Sequence, residues 1–437
     1  MVRRAVLSLF AVLSIALMAD PAVATPGDTK WTQTYDGPAS GPDTPVGIAV
    51  DPHQYRVYVV GTTGNDAGAD IVTIAFEIYT GDKIWARRYD GPAHGGDLAV
   101  AIAYDPYSGG VNVTGASESV AGSGTLDAVT ISYMLDGSRR WVRRASSLGT
   151  DAPVGLVVDS GSTYVLLNGA RGRLVAYDYG GMRLWAHPLT AGTLTGLVGL
   201  QNIGGYLMAV GTISEDPGGT AIFTTAFNSS GASVWTKRFS GPANDAYASD
   251  AAVGGGTILY VTGSYSDGTS RKITTIAYEP HDGYRFWRRS IAPQTPTDID
   301  TLPHVAVADD GSSIAIAATS SHDGVRTYLT RLYNGDGSIA WTARENAANE
   351  SGEVSDVAIG PDGNVYVAGQ GTNSDGQEGA FTVAYLSTGP PSLFEASVPP
   401  ANLDDVALCL ETGPLTGEVF VGSRVGEDIR VDTYKAY

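Results

Sequence analysis

The sequence predicts an all-β protein, a single eight-bladed β-propeller built of four-stranded antiparallel blades. All seven tryptophans recur at intervals of 44 to 56 residues, and a glycine stands four residues before each of them. Short apolar runs bounded by Gly, Pro and Asp recur with the same period. A period near 50 residues with many short strands is typical of propeller blades. The tryptophans of this structural repeat are Trp31, Trp85, Trp141, Trp185, Trp235, Trp287 and Trp341.

One repeat shows the four strands of a blade, which we call A to D from the centre outwards. Residues 46–51, 56–62, 70–77 and 84–89 are rich in β-branched and aromatic side chains and are separated by turn residues. Candidate A strands recur eight times along the chain, and no segment after the first 24 residues has helical periodicity. The sequence therefore predicts eight blades in one domain.

The two ends of the chain predict how the ring closes. The last repeat supplies strands A, B and C and then ends at Tyr437, whereas residues 30–36 form a lone D-type strand. We expect this N-terminal strand to complete the eighth blade, because closure removes two unpaired sheet edges. Seven blades is the alternative if the short unit between Trp141 and Trp185 is degenerate.

Residues 1–24 have the pattern of a secretory signal peptide. Arg3 and Arg4 precede an apolar stretch, and small residues end at Ala24. The apolar stretch is shorter than the roughly 20 residues of a membrane span. We expect cleavage, with residues 25–437 forming a secreted, extracellular, monomeric propeller that has no membrane attachment. The general secretory route is favoured, and the arginine pair leaves the twin-arginine route open.

The charge balance excludes one class of partner. The chain carries 46 acidic and 27 basic side chains, a net charge of −19. Such a surface repels phosphate backbones, so we expect no nucleic-acid binding. Proteins, polysaccharides and cation-bearing ligands are the expected partners. A single cysteine excludes a disulfide framework.

The spacing between glycine and tryptophan places glycine in the C–D turn and tryptophan at the start of strand D. We expect each indole to fill the gap between neighbouring blades rather than to stack on a ligand. Basic pairs such as Arg87–Arg88 and Arg143–Arg144 follow the tryptophans, and charge on an outer strand discourages edge-to-edge aggregation.

Residues 75–85, AFEIYTGDKIW, resemble the tryptophan-docking repeat of quinoprotein-like propellers, Ala-x-Asp-x-x-Thr-Gly-x-x-x-Trp. Glu77 replaces the Asp, and residues 277–287 are a weaker copy. Residues 355–376 also resemble the repeat of secreted bacterial seven-bladed propellers. The residues of the first copy that match are Ala75, Thr80, Gly81 and Trp85.

This resemblance implies blade architecture rather than a particular activity. Pyrroloquinoline quinone enzymes of that group commonly hold the cofactor between an adjacent cysteine pair and a free tryptophan. This chain has one cysteine, and the repeat uses all of its tryptophans. The sequence therefore disfavours a dehydrogenase of that type, and we expect no such cofactor.

One face of the ring carries the longer loops, which join strand D to the next A and strand B to C. Function concentrates on long loops of a rigid scaffold. Asp43, Asp97 and Asp151 each stand three residues before a strand-A valine, and we expect them to bind ligand at that mouth of the channel.

A second group of polar residues is expected to face the channel axis. The position of Gly47 in the first repeat is assigned in later repeats to Asp250, His304, Asp356 and Asp405. Carboxylates and an imidazole at one level can act as acid and base, or hold a divalent cation such as calcium. Alternatively, each Asp accepts backbone N–H bonds and fixes its own loop.

These features favour a secreted, non-catalytic binding propeller that engages a protein, polysaccharide or cation-bearing ligand on its acidic D–A and B–C loop face. The alternative is an extracellular lyase or hydrolase that uses the four channel residues as candidate catalytic groups. A pyrroloquinoline quinone dehydrogenase is the remote alternative.

Overall fold

The computed structural model shows the architecture of most of the chain. The predicted signal peptide and Asp405 lie outside the described residues. The described residues are 27–38, 41–65, 68–120, 122–145, 151–168, 172–189, 193–215, 217–295, 299–300, 303–322, 325–345, 352–372, 378–397, 406–413 and 417–435.

Eight antiparallel sheets form the blades of a propeller, and each runs from an inner strand A to an outer strand D. The fold predicted from the sequence is confirmed. The strands of blades 1 to 4 are β2 (Asp43–Asp51), β3 (Arg56–Asn65), β4 (Gly68–Glu77), β5 (Lys83–Tyr89), β6 (Asp97–Asp105), β7 (Gly110–Glu118), β8 (Leu126–Tyr133), β9 (Arg139–Ala145), β10 (Ala152–Asp159), β11 (Ser162–Asn168), β12 (Arg173–Tyr177), β13 (Arg183–Pro188), β14 (Thr193–Ile203), β15 (Tyr206–Ser214), β16 (Thr220–Asn228) and β17 (Ser233–Phe239).

Blades 5 to 8 repeat the arrangement with two differences. The inner strand of blade 6 is divided into two short segments, and the outer strand of blade 8 comes from the N-terminus. The strands are β18 (Ala246–Gly254), β19 (Ile258–Ser266), β20 (Arg271–Tyr278), β21 (Arg285–Ile291), β22 (Ile299–Asp300), β23 (His304–Val307), β24 (Ser313–His322), β25 (Val325–Asn334), β26 (Ile339–Glu345), β27 (Glu353–Ile359), β28 (Val365–Thr372), β29 (Glu378–Leu386), β30 (Gly389–Ser397), β31 (Val406–Thr412), β32 (Glu418–Val425), β33 (Asp428–Lys435) and, completing blade 8, β1 (Thr29–Tyr35).

Strand β1 closes the ring as the sequence predicts. It pairs antiparallel with β33, and Trp31 packs with its ring centroid 6.1 Å from those of Phe76 and Phe420. The unit between Trp141 and Trp185 forms a complete blade 3 of four strands. The seven-bladed alternative is therefore wrong.

The repeated tryptophans join each blade to the next, as expected. Each indole Nε1 donates a hydrogen bond of 2.7–3.1 Å to a main-chain carbonyl in or beside the C–D turn of the following blade. A buried indole needs such an acceptor, because an unpaired N–H in an apolar environment is costly. The acceptors, in ring order from Trp31, are Ile78, Leu135, Tyr179, Ser229, Pro280, Gly335 and Ser387.

The glycine of each repeat receives the indole of the preceding blade. Gly137 has a φ of +78°, and a Cβ at that position would lie 2.7 Å from the ring of Trp85. Only glycine combines a left-handed backbone with so close an approach. At the eighth junction Phe394 takes the place of tryptophan and packs against Gly27.

An arginine two positions after several of the tryptophans also binds the next blade. Arg87 Nε donates to Gly137 O at 2.8 Å, and Arg289 Nε donates to Gly337 O at 2.6 Å. These side chains stabilise the junctions between blades; protection of the outer edges by the basic pairs stays a prediction. Throughout the part of the chain described above, no helix is long and apolar enough to cross a bilayer.

Candidate functional site

The inner strands are irregular where they line the channel. In blades 1, 2, 3, 5, 7 and 8 the register between strands A and B shifts by one residue. A bulge of this kind re-aims the side chain that follows it. The residues directly after the shift are Gly47, Ala101, Gly155, Asp250, Asp356 and Cys409.

These positions divide the channel wall into two halves. Blades 1 to 3 present glycine or alanine there, and the two register shifts of blade 4 are also followed by glycines. Blades 5, 7 and 8 present Asp250, Asp356 and Cys409, and in blade 6 His304 directly precedes Val305, whose amide binds Asp250. We call Asp250, His304, Asp356 and Cys409 the polar arc.

The structure brings together three of the four candidate channel residues, Asp250, His304 and Asp356. In blade 8, Cys409 takes the place that was predicted for Asp405. The bulge of blade 8 falls between Ala407 and Cys409, so Cys409 and not Asp405 follows it. Sequence spacing alone misses this because it does not show at which residue of the strand the bulge lies. Asp405 itself lies outside the described residues.

Asp250 links the inner strands of blades 5 and 6. Its Oδ1 accepts from the amide of Ala251 at 2.7 Å, and its Oδ2 accepts from the amide of Val305 at 3.0 Å. His304 Nδ1 lies 3.9 Å from the same Oδ2. Burial is the main cause that raises the pKa of Asp250, while His304 acts in the opposite direction.

Asp356 repeats this arrangement between blades 7 and 8. Its two carboxylate oxygens accept from the amides of Val357 and Leu410, each at 2.8 Å. Burial raises the pKa of Asp356 to about 7, although His304 and the two amides lower it. A carboxyl group with this pKa can exchange protons near neutral pH.

The polar arc thus holds the inner strands together and carries titratable groups. Both oxygens of each aspartate accept a backbone N–H, the local structural role that was the alternative to catalysis. Burial strongly raises the pKa of the Cys409 thiol, so the thiolate nucleophile is disfavoured. Acid–base catalysis by Asp250, His304 and Asp356 remains a prediction.

A cavity of about 370 Å³ opens at the end of the channel where strands A turn into strands B. Glu411 of blade 8, Asp309 of blade 6 and Tyr104 of blade 2 contribute to its lining. Burial raises the pKa of Glu411 to about 7, with the Thr412 amide opposing this and Asp309 adding to it. The cavity therefore presents carboxyl groups that a basic side chain would neutralise.

Asp43, Asp97 and Asp151 are buried at the opposite end of the inner strands, with exposures of 0%, 1% and 6%. Asp43 Oδ2 accepts from the amide of Gly37 at 2.6 Å, and Asp97 makes the same bond to Gly91. The structure therefore shows two of them fixing the D–A turn of the Gly-Pro-Ala motif. Asp151 pairs with Arg173 at 3.2 Å. Direct ligand binding by these residues remains a prediction.

Exposed aromatic residues concentrate on the face that carries the A–B and C–D turns, which we call the turn face. Tyr107 is 69% exposed and packs edge-on against Tyr179 of the next blade, with centroids 5.3 Å apart. Arg140 stacks over Tyr179 at 4.2 Å. Tyr55 and Tyr79 of blade 1 form a second pair, 5.5 Å apart.

The loop face, formed by the D–A and B–C connections, has fewer such side chains among the described residues: Leu98, Val120 and Tyr247. The sequence reasoning missed the turn face because it ranked the two faces by loop length. A usable signal was present, since an aromatic residue or methionine stands in several short turns. The large apolar side chains exposed in or beside the A–B and C–D turns include Tyr55, Tyr79, Tyr107, Met134, Tyr179, Met182, Tyr284, Ile339 and Leu386.

The comparisons with known proteins agree with this architecture. The profile of a family described as outer membrane protein assembly factor BamB matches residues 170–373, which extend from blade 3 to blade 7. This match supports the resemblance to propellers with the pyrroloquinoline-quinone-like repeat. Among curated protein sequences, none matches the chain. The resemblance to secreted seven-bladed propellers stays a prediction.

Three solved structures share the fold at low sequence identity. Sqt1 of Chaetomium thermophilum, bound to the N-terminus of ribosomal protein L10, is 14% identical with a TM-score of 0.60, covering 94% of this chain and 100% of its own. The Dos1 propeller is 9% identical with a TM-score of 0.61 and coverages of 94% and 95%. Quinohemoprotein alcohol dehydrogenase ADHIIG of Pseudomonas putida HK5 is 12% identical with a TM-score of 0.57 and coverages of 94% and 76%.

Proposed function

We propose that this chain is an exported, monomeric, protein-binding propeller that takes a basic, partly apolar segment of a partner protein on its turn face. The observation that carries the proposal is the group of exposed aromatic residues on that face, at the same end of the inner strands as the acidic cavity. Export rests on the predicted signal peptide.

Tyr107, Tyr179 and Arg140 have the chemistry of an interface hot spot. Tyrosine and arginine are enriched among the residues that dominate binding energy. Tyrosine buries a large area with little loss of side-chain entropy, and arginine adds planar hydrogen-bond donors that stack on aromatic rings. The stacked pair and the arginine are held in place by each other and by the Arg140–Asp105 ion pair, 3.4 Å long. A surface ordered in this way before binding has less entropy to lose on association.

The cavity beside this surface favours a basic side chain. Glu411 and Asp309 line it, and the chain as a whole is strongly acidic, so a lysine or arginine is attracted over distance and neutralised on arrival. A cationic group also favours the ionised form of Glu411, whose pKa burial raises to about 7.

The known propellers of this fold support binding to a protein segment. The Sqt1 structure contains the N-terminus of a ribosomal protein, and the BamB family is named for a role in assembling other proteins. The sequence predicted that the partner lies on the loop face; we place it on the turn face because the exposed aromatic residues are there.

The test is selection of peptides from a displayed library on the immobilised full chain. The affinity of the selected peptides is then measured for the original protein, for a double variant on the turn face and for a control variant on the loop face. We expect the selected peptides to be enriched in lysine, arginine and aromatic residues. Replacing Tyr107 and Tyr179 together by serine should weaken binding at least about tenfold, since each removes a hot-spot side chain.

Tyr247 provides a matched control on the loop face. It is 39% exposed and carries Arg271 stacked at 5.3 Å, so Tyr247→Ser removes a similar cation–π pair without touching the turn face. Equal loss of affinity in the two variants, or selection of peptides without basic residues, would overturn the proposal. Selective binding of a polysaccharide in a glycan array, with no peptide selected, would overturn it too.

A further inference from the structure

Two groups of three aspartates occupy equivalent places at successive junctions between blades. Each consists of an Asp at the start of a strand C (the first residue of β33 or the third of β4), the Asp that follows the next strand D, and the first residue of the following strand A. Their carboxylate oxygens lie within 4.8 Å of one another. The junction of blades 8 and 1 holds Asp428, Asp36 and Asp43, and the junction of blades 1 and 2 holds Asp70, Asp90 and Asp97.

The second group is partly neutralised by cations of the chain itself. Arg88 Nε lies 2.9 Å from Asp70 Oδ2, and His94 Nδ1 lies 2.8 Å from Asp90 Oδ2. The contact with Asp90 raises the pKa of His94, which favours the charged imidazolium. Two of the three negative charges at this junction are thus offset by one arginine and one histidine.

The first group has neither of these two cations. The β1–β33 register aligns Tyr35 with Tyr89, so Thr34 occupies the place of Arg88. In the repeated motif, YDGPASGPD against YDGPAHGGD, Ser40 replaces His94. Arg430 pairs with Asp432 at 2.8 Å.

A buried oxygen at this junction lacks a hydrogen bond. Asp43 is fully buried; its Oδ2 accepts from Gly37, whereas its Oδ1 has no hydrogen-bond partner among the described residues, as is also the case for Oδ1 of Asp70 and Asp97 at the second junction. Burial raises the pKa of Asp43 despite the nearby Thr63 hydroxyl and backbone amides, and Asp428 raises it further. Burial also raises the pKa of Asp428, with Asp36 and Glu427 adding to the effect.

We propose that the Asp36–Asp43–Asp428 group binds one divalent cation, calcium, at the closure of the ring. Hard carboxylate oxygens on flexible loop ends suit calcium, which accepts six to eight oxygen ligands without strict geometry. The exposed Asp36 provides access from solvent, and the orphaned Oδ1 of Asp43 gains a partner.

The three ligands come from three separate segments of the chain. Asp36 follows the N-terminal strand β1, Asp428 begins the C-terminal strand β33, and Asp43 begins blade 1. A cation among them ties both termini to the first blade, and a ligand that binds only the folded state stabilises it. The site is independent of the turn face, so its failure and that of the proposed function are distinguishable.

The test is calcium titration of the chelator-treated full chain by calorimetry, with thermal unfolding in parallel. We expect one bound calcium and a rise in Tm of several degrees at saturating calcium. Asp428→Asn should abolish both effects. Thr34→Arg should also abolish them and raise the Tm of the calcium-free protein, because it supplies the cation that Arg88 provides at the next junction.

The second junction provides the reciprocal experiment. The double replacement Arg88→Thr with His94→Ser recreates there the residues of the first junction, so we expect two calcium ions per chain. No calcium binding by the original protein, or one calcium that persists in Asp428→Asn and Thr34→Arg, would overturn the proposal. If either single variant fails to fold, the stoichiometry of the original chain and the double variant decides.

Discussion

Glu411 carries a titratable carboxyl into the channel cavity, and burial raises its pKa to about 7 from an ordinary value near 4.5. A carboxyl whose pKa is higher in the folded state binds its proton more tightly there than in the unfolded chain. Its contribution to stability is therefore fully present below pH 4.5 and is lost as the pH rises through about 7. Asp356, with a pKa of about 7, changes the stability with pH in the same direction.

Glu411→Gln should therefore flatten the pH dependence of stability between pH 4.5 and 7. The glutamine carries no charge, so the decline that Glu411 contributes, at most about 3 kcal/mol, disappears. The measurement is the free energy of unfolding in denaturant at several pH values for both proteins. An unchanged difference between pH 5 and pH 8 would show that Glu411 is not the group that titrates.

Gly137→Ala should lower the free energy of unfolding by about 2–4 kcal/mol. The methyl group imposes left-handed strain at φ +78° and also meets the Trp85 ring at 2.7 Å. Gly109→Ala is the matched control, since Gly109 has φ +68° and no atom of the described residues lies within 4 Å of the added Cβ. It should cost only about 1 kcal/mol. Equal costs would mean that the close approach to Trp85 contributes nothing to stability.

The sequence predicts the roles of single residues only where the repeat fixes the local geometry. The glycine–tryptophan spacing predicts the docking of Trp85 because both residues stand in every repeat. The position of Cys409 depends on where the bulge lies in the inner strand of blade 8. The burial of Asp43 depends on the D–A loop, whose Gly37 amide binds the Asp43 carboxylate. Neither is visible in residue spacing.

At the scale of elements, β1 is the strand on which ring closure depends. It supplies the outer edge of blade 8 and Trp31, which packs against Phe76 and Phe420. The alternating and near-continuous apolar runs predict each strand well, because periodicity is a local property. The division of blade 6's inner strand into β22 and β23 was not predicted, since it depends on how that strand pairs with β24.

A variant that lacks residues 27–36 should lose several kcal/mol of stability and self-associate. Removal of β1 leaves the outer face of β33 unpaired, and an unpaired edge is a template for pairing with another chain. Size-exclusion chromatography and denaturant unfolding measure both effects. A peptide of residues 27–38 added in trans should restore the monomer, whereas a scrambled peptide should not. A stable monomer without either peptide would contradict the role of β1.

At the scale of the whole molecule, the two faces of the ring have different chemistry. The loop face holds the buried aspartates that fix the D–A turns, and the turn face holds exposed aromatic residues beside an acidic cavity. The eight-bladed architecture could be predicted from the sequence because it is a property of the repeat. The choice of face could not, because it depends on which individual turn residues escape burial when the blades assemble.

The separation of the faces leads to a prediction about coupling between them. Strand β2 spans nine residues from Asp43 to Asp51, so about 30 Å of extended strand separates the proposed calcium site from the cavity. The pairing of β1 with β33 closes the ring through backbone hydrogen bonds that need no cation, so we expect calcium to leave the conformation of the ring unchanged. Calcium and chelator should therefore change the affinity of a turn-face peptide less than about twofold, since the two sites share no contact.

Fluorescence polarisation with a labelled peptide measures this at a temperature well below unfolding, with Asp428→Asn as the calcium-insensitive control. A larger change would mean that the cation sets the shape of the cavity through the closure of blades 8 and 1.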